Sequence, residues 1–93
     1  MKFIIKHEMK GRMRVRLSQK RMTYEQADIL QYYLLCNESV KLAKVYDRTC
    51  DAVINYTGDR EDVIRLLQEF HYQTVEVPAD VLATSGREVN AQY

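Results

Sequence analysis

Arg12, Arg14 and Arg16 are the residues of this chain whose type and spacing point most directly to chemistry. At alternate positions of an extended strand three guanidiniums fall on one side, and each can make paired hydrogen bonds to a carboxylate or a phosphate. Such a row fits a solvated sheet face, a dock for an acidic protein surface, or an RNA-binding sheet. RNA modules of the open-sheet kind stack bases on aromatic residues of the central strands. This stripe is cationic throughout, so nucleic acid is not an expected partner. His7 and Met9 are of types that hold Cu(I) or Zn(II), with Met13 and Met22 as further thioethers by type. A histidine at a strand boundary and methionines filling a core account for the same residues without a metal. Cys36 and Cys50 form neither a disulfide framework nor a Cys-x-x-Cys pair. Cys36 is expected to be buried near the end of a helix, and Cys50 exposed at a turn. No Ser/His/Asp set, pair of acids at useful spacing or nucleotide-binding glycine loop occurs, so no catalysis and no cofactor are expected.

The arginines belong to a longer pattern. From Phe3 to Leu17 apolar or small residues and His7 hold the odd positions, with Ile4 the exception on the even ones, as in a strand with one covered and one wet face. As one strand this run would span about 50 Å, against about 30 Å across a domain of this size. It must break or overhang, and Gly11 is the expected place. Residues 11 to 17 then form a central strand with its arginines outward. Residues 3 to 9 are left to extend it, to pair as an overhang, or to fold back and bring His7 towards the loop after that strand.

Thr23 and Gln26 fit a capping box that starts a helix at Tyr24, with Ala27, Leu30 and Leu34 on its apolar stripe. Val40 to Arg48 and Ala52 to Tyr56 read as an antiparallel hairpin. Asp59 is placed to cap a second helix bearing Val63, Leu67 and Phe70, with His71 at its negative end. A last strand is expected over Thr74 to Val77, ending at Pro78. The expected fold is α+β: a ferredoxin-like βαββαβ sandwich, an antiparallel four-stranded sheet with two helices on one face. Residues 1–78 form the domain and 79–93 a linker or tail. Acylphosphatases share this topology, but Ser18 to Met22 lacks the phosphate-cradling glycine loop they need.

Ninety-three residues give room for one modest core, and 46% hydrophobic with 29% charged residues is ordinary for a globular domain. A net charge of +1 confines any basic patch to the arginine stripe. No apolar run approaches the ~20 residues of a membrane span, so a cytoplasmic location is expected and no direct membrane insertion. An exposed edge strand offers weak pairing of two copies.

The segment HEMKGRMRVR before the first helix, the RTCDAVINY hairpin and the element order resemble a heavy-metal-associated domain. The likeness, over about residues 3 to 78, is greatest to the divergent variant at the N-terminus of bacterial heavy-metal-transporting P-type ATPases, which opens on His-x-x-x-Gly-Arg-x-Arg. Here that pattern falls on His7, Gly11, Arg12 and Arg14. The resemblance implies a cytoplasmic regulatory or docking domain of such a pump, with Arg12, Arg14 and Arg16 contacting its other cytoplasmic domains. Typical members bind metal through a Cys-x-x-Cys in the loop between the first strand and helix. Ser18 to Thr23 holds two cations and no cysteine there, so no metal ligand is carried over, and His7 with Met9 remains the alternative site of a stand-alone metal-binding or chaperone-like domain.

Overall fold

In the computed structural model residues 1–75 and 77 are described. The alternating run becomes two strands, β1 (Phe3–Met9) and β2 (Arg12–Leu17), joined by the tight turn Lys10–Gly11. Gly11 has φ +77°, a conformation L side chains rarely adopt, which is why this glycine reverses the chain instead of bending it. Its carbonyl also accepts from the Tyr56 N–H at 2.9 Å, and a Cβ here would stand 3.3 Å from the Tyr56 carbonyl oxygen.

The remaining elements are α1 (Tyr24–Leu35), β3 (Val40–Tyr46), β4 (Asp51–Tyr56), α2 (Arg60–Gln68) and a 3-10 turn over Tyr72–Thr74. Thr23 and Gln26 form the expected reciprocal capping box. Asp59 precedes α2 as its cap residue, but its side chain makes no cap hydrogen bond. The strand expected over Thr74 to Val77 is not formed by its described residues: Thr74 closes the 3-10 turn, and Val75 and Val77 are in no strand. Glu76, Pro78 and the expected tail 79–93 lie outside the described residues.

The fold is α+β, a four-stranded antiparallel sheet in the order β1-β2-β4-β3 with two helices, of the expected ferredoxin-like kind. β2 and β4 are central. The N-terminal β1 takes the edge position that a C-terminal strand holds in the split βαββαβ pattern. Met13, Val15 and Leu17 of β2, Ala43 and Val45 of β3, and Ala52 and Ile54 of β4 join one buried cluster with Ala27, Leu30 and Leu34 of α1 and Val63 and Leu67 of α2. Both helices therefore cover the same sheet face. Phe70 is fully buried between Tyr33 and Tyr72, with ring centroids 4.8 and 4.7 Å away. Tyr33 donates its hydroxyl to the Leu66 carbonyl at 2.6 Å, tying α1 to α2. At one end of α2 Arg60 pairs with Glu8 of β1; at the other, the Met1 nitrogen donates to the Gln68 carbonyl at 2.8 Å. Among the described residues no helix is long and apolar enough to cross a membrane.

Candidate functional site

The helix-free face of the sheet is built from three rows of cross-strand partners, whose side chains share a side. One row runs Ile4, Arg16, Asp51, Tyr46; the next His7, Arg14, Val53, Lys44; the third Met9, Arg12, Asn55, Leu42. The three arginines thus lie outward in the middle of the sheet, as their alternation predicts.

His7 and Met9 reach this face through a shift of register. On the odd phase they should point towards the helices with Phe3 and Ile5. The β1–β2 register slips between Ile5 and His7, leaving Lys6 unpaired, and this one-residue bulge reverses the phase of residues 7 to 9. Glu8 takes the helix side, where it meets Arg60, while His7 and Met9 join the arginines. His7 stands opposite Arg14, and it is Lys2 whose carbonyl accepts from Ser18 at the start of the β2–α1 loop, 2.9 Å away. His7 is therefore not brought to the β2–α1 loop.

Asp51 is the residue that sequence reasoning missed. Placed by its neighbours in a turn, it is the first residue of β4, and its side chain is 1% exposed beneath Arg14 and Arg16. Arg16 donates from Nε to Oδ1 at 2.7 Å, and Arg14 donates from Nε to Oδ2 at 2.9 Å. The bond from Arg16, seconded by Arg14, holds the Asp51 carboxyl below its ordinary pKa against the opposing effect of burial; the same bond raises Arg16. Because the covering guanidiniums are themselves nearly half exposed, this burial is shallow and the surrounding water screens the pair. One signal was available: Asp51 sits at an even distance from Val53 and Asn55, on the phase opposite Ala52 and Ile54.

One carboxylate does not neutralise this face. Among the described residues the Arg12 side chain makes no ion pair or hydrogen bond, and Lys44 lies 5.4 Å from the Tyr46 ring centroid with no carboxylate partner. Arg14 also lies over that ring, at 5.5 Å. Next to Arg12, the Asn55 Oδ1 is buried without a hydrogen-bond partner among the described residues. At the two edges of the face Ile4, Met9 and Leu42 are more than half exposed, and Tyr46 is 37% exposed.

The cysteines exchange their expected places. Cys36 caps α1 at its C-terminal end and is exposed. Cys50 is buried, because the β3–β4 turn holds it at φ +59° with its carbonyl bonded to the Leu17 N–H and its side chain in the core cluster. Burial, with Asp51 adding to it, pushes its thiol pKa up. Among the described residues no group of three or more His, Cys, Asp or Glu side chains is placed to hold a metal ion.

Against models of protein families, curated proteins and solved structures, the chain has no match. The site therefore has to speak through its geometry.

Proposed function

We propose that this chain is a non-catalytic docking domain that holds an acidic protein surface on its open sheet face. The observation that carries this reading is the charge of the face: among the described residues Arg12, Arg14, Arg16 and Lys44 stand around a single carboxylate, Asp51. Arg12, whose side chain is unpaired among the described residues, is the donor for an incoming carboxylate, while Asp51 orders Arg14 and Arg16 and leaves part of each fork to solvent. The setting that the sequence resemblance implies is a cytoplasmic N-terminal domain of a heavy-metal-transporting P-type ATPase, with the pump's other cytoplasmic domains as partners. Metal capture through His7 and Met9 is disfavoured, because both stand beside guanidiniums that repel a cation. RNA is disfavoured because β2 and β4, at the centre, present Arg, Asp, Val and Asn and no aromatic ring to the open face.

Titrating the full chain with an oligo-glutamate peptide, followed by amide shifts, tests the reading. Shifts on β2 and β4 that weaken with added salt and with Arg12→Glu are expected. Tight stoichiometric binding of Cu(I) or Zn(II) by calorimetry, abolished by His7→Ala, would overturn it in favour of a metal carrier. Salt-dependent RNA binding lost on Arg14→Ala would do so in favour of an RNA module.

A further inference from the structure

The open face has a second property that its charge does not explain. Seven large hydrophobic side chains are exposed among the described residues, and four of them, Ile4, Met9, Leu42 and Tyr46, are on this face. They occupy its corners: Ile4 and Met9 on edge strand β1, Leu42 and Tyr46 on edge strand β3. Between the two apolar columns run the cations of β2. Three strand spacings put the columns about 14 Å apart, and four residues of strand from Arg12 to Arg16 cover about 13 Å.

We infer that the partner seated here is an amphipathic α-helix with a stripe of carboxylates flanked on both sides by apolar residues. This rests on the docking reading above and specifies its occupant. A helix is about 10–12 Å across with its side chains and so fills the width between the columns, whereas one extended strand does not. About two and a half turns or more cover the length of the arginine row, with acidic residues at i, i+4 and i+7 facing Arg12, Arg14 and Arg16 and the flanking apolar residues resting on the corner side chains.

Charge selects this occupant over a second copy of the chain. A two-fold pairing of open faces would bring two arginine rows together with one Asp51 each, which like-charge repulsion opposes. A purely acidic loop would leave Ile4, Met9 and Leu42 in water. An anionic membrane offers both charge and an apolar phase, and it is separated from the helix by experiment.

Binding of the full chain is measured to a helical peptide with glutamates along one stripe and flanking leucines, and to the same peptide with every leucine replaced by glutamine. The leucine peptide is expected to bind at least about tenfold tighter. The double substitution Ile4→Ser with Leu42→Ser, at two exposed positions, is expected to remove most of that difference and to leave the weak binding of the glutamine peptide in place. Circular dichroism and thermal unfolding verify that the variant is folded; should it be unfolded, Met9→Ser alone, at an equally exposed site, serves instead. Equal affinity for the two peptides, or a leucine advantage that survives the corner substitutions, overturns the inference while leaving the docking reading intact. Binding to vesicles containing phosphatidylserine and to neither peptide overturns both, as does the absence of any binding that Arg12→Glu weakens.

Discussion

Arg16 reaches across the β2–β4 pair and donates from Nε to the Asp51 Oδ1 at 2.7 Å. With Arg14 on the other oxygen, this bond fixes two long side chains that would otherwise sample many rotamers in solvent. Ordering them in advance reduces the entropy a partner must remove, so the clamp prepares the face for binding as well as stabilising the sheet. It also explains how a carboxylate comes to lie in the middle of a basic surface. A buried acid without these donors would be strongly unfavourable.

Replacing Asp51 by Asn keeps the shape and removes the charge. The variant is expected to lose about 1 kcal/mol near neutral pH, well below the cost of breaking a deeply buried pair, because the arginines are solvated. The carboxyl pKa is lowered in the folded state, so its contribution is present above the unfolded value of about 3.9 and is lost as pH falls through the folded value. Denaturant titrations of the two proteins should thus differ at neutral pH and converge below about pH 4. A gap that widens in acid would show that the clamp does not stabilise the fold.

Much of the layout could be read directly from residue types. Residues 12 to 17 alternate apolar and arginine without interruption, and in the structure they are one of the two central strands, with Met13, Val15 and Leu17 buried. Thr23 and Gln26 announced α1 through chemistry confined to four residues. What stayed hidden depends on a register or on a distant neighbour. Nothing in Ile5-Lys6-His7 declares that Lys6 will be left out of the pairing, yet that one residue decides on which side of the sheet His7 and Met9 lie. The burial of Cys50 likewise depends on a positive φ and on Leu17, far away in sequence. The ion pairs of Asp51 required knowing that β4 lies beside β2.

Gly11 and Gly58, the two described glycines with positive φ, should respond differently to alanine. At Gly58 (φ +85°) a Cβ meets nothing within 4 Å, so the change costs only the backbone preference, about 1 kcal/mol. At Gly11 the same preference is joined by a 3.3 Å approach to the Tyr56 carbonyl oxygen, which belongs to the strand pairing itself. Gly11→Ala is therefore expected to be the more damaging, about 2 kcal/mol, as a lower midpoint in urea with an unchanged slope. Equal losses would mean that the neighbouring strand yields freely.

The thiols differ in accessibility and in acidity. Cys36 is exposed, whereas Cys50 is 3% exposed with its pKa raised by burial. A thiol reagent added to the native protein should label one site rapidly, and peptide mapping should find it at Cys36. Cys50 should react at a rate that tracks opening of the β3–β4 turn and rises to that of Cys36 in denaturant. Fast native labelling at Cys50 would contradict its place in the core.

Deleting Lys6 tests the bulge that sets the composition of the open face. Without the extra residue β1 has one phase throughout, and one of its halves must exchange faces. If residues 7 to 9 turn over, Glu8 leaves Arg60 and His7 enters the helix side. If residues 3 to 5 turn over, Phe3 leaves the core against which it packs. Either way the expected loss is about 1 kcal/mol or more, with faster amide exchange along β1. Lys6→Ala keeps the bulge, since the backbone count is unchanged, and should alter stability by less than about 0.5 kcal/mol. A deletion as harmless as the alanine substitution would show that β1 contributes nothing to holding Met9 at its corner of the face.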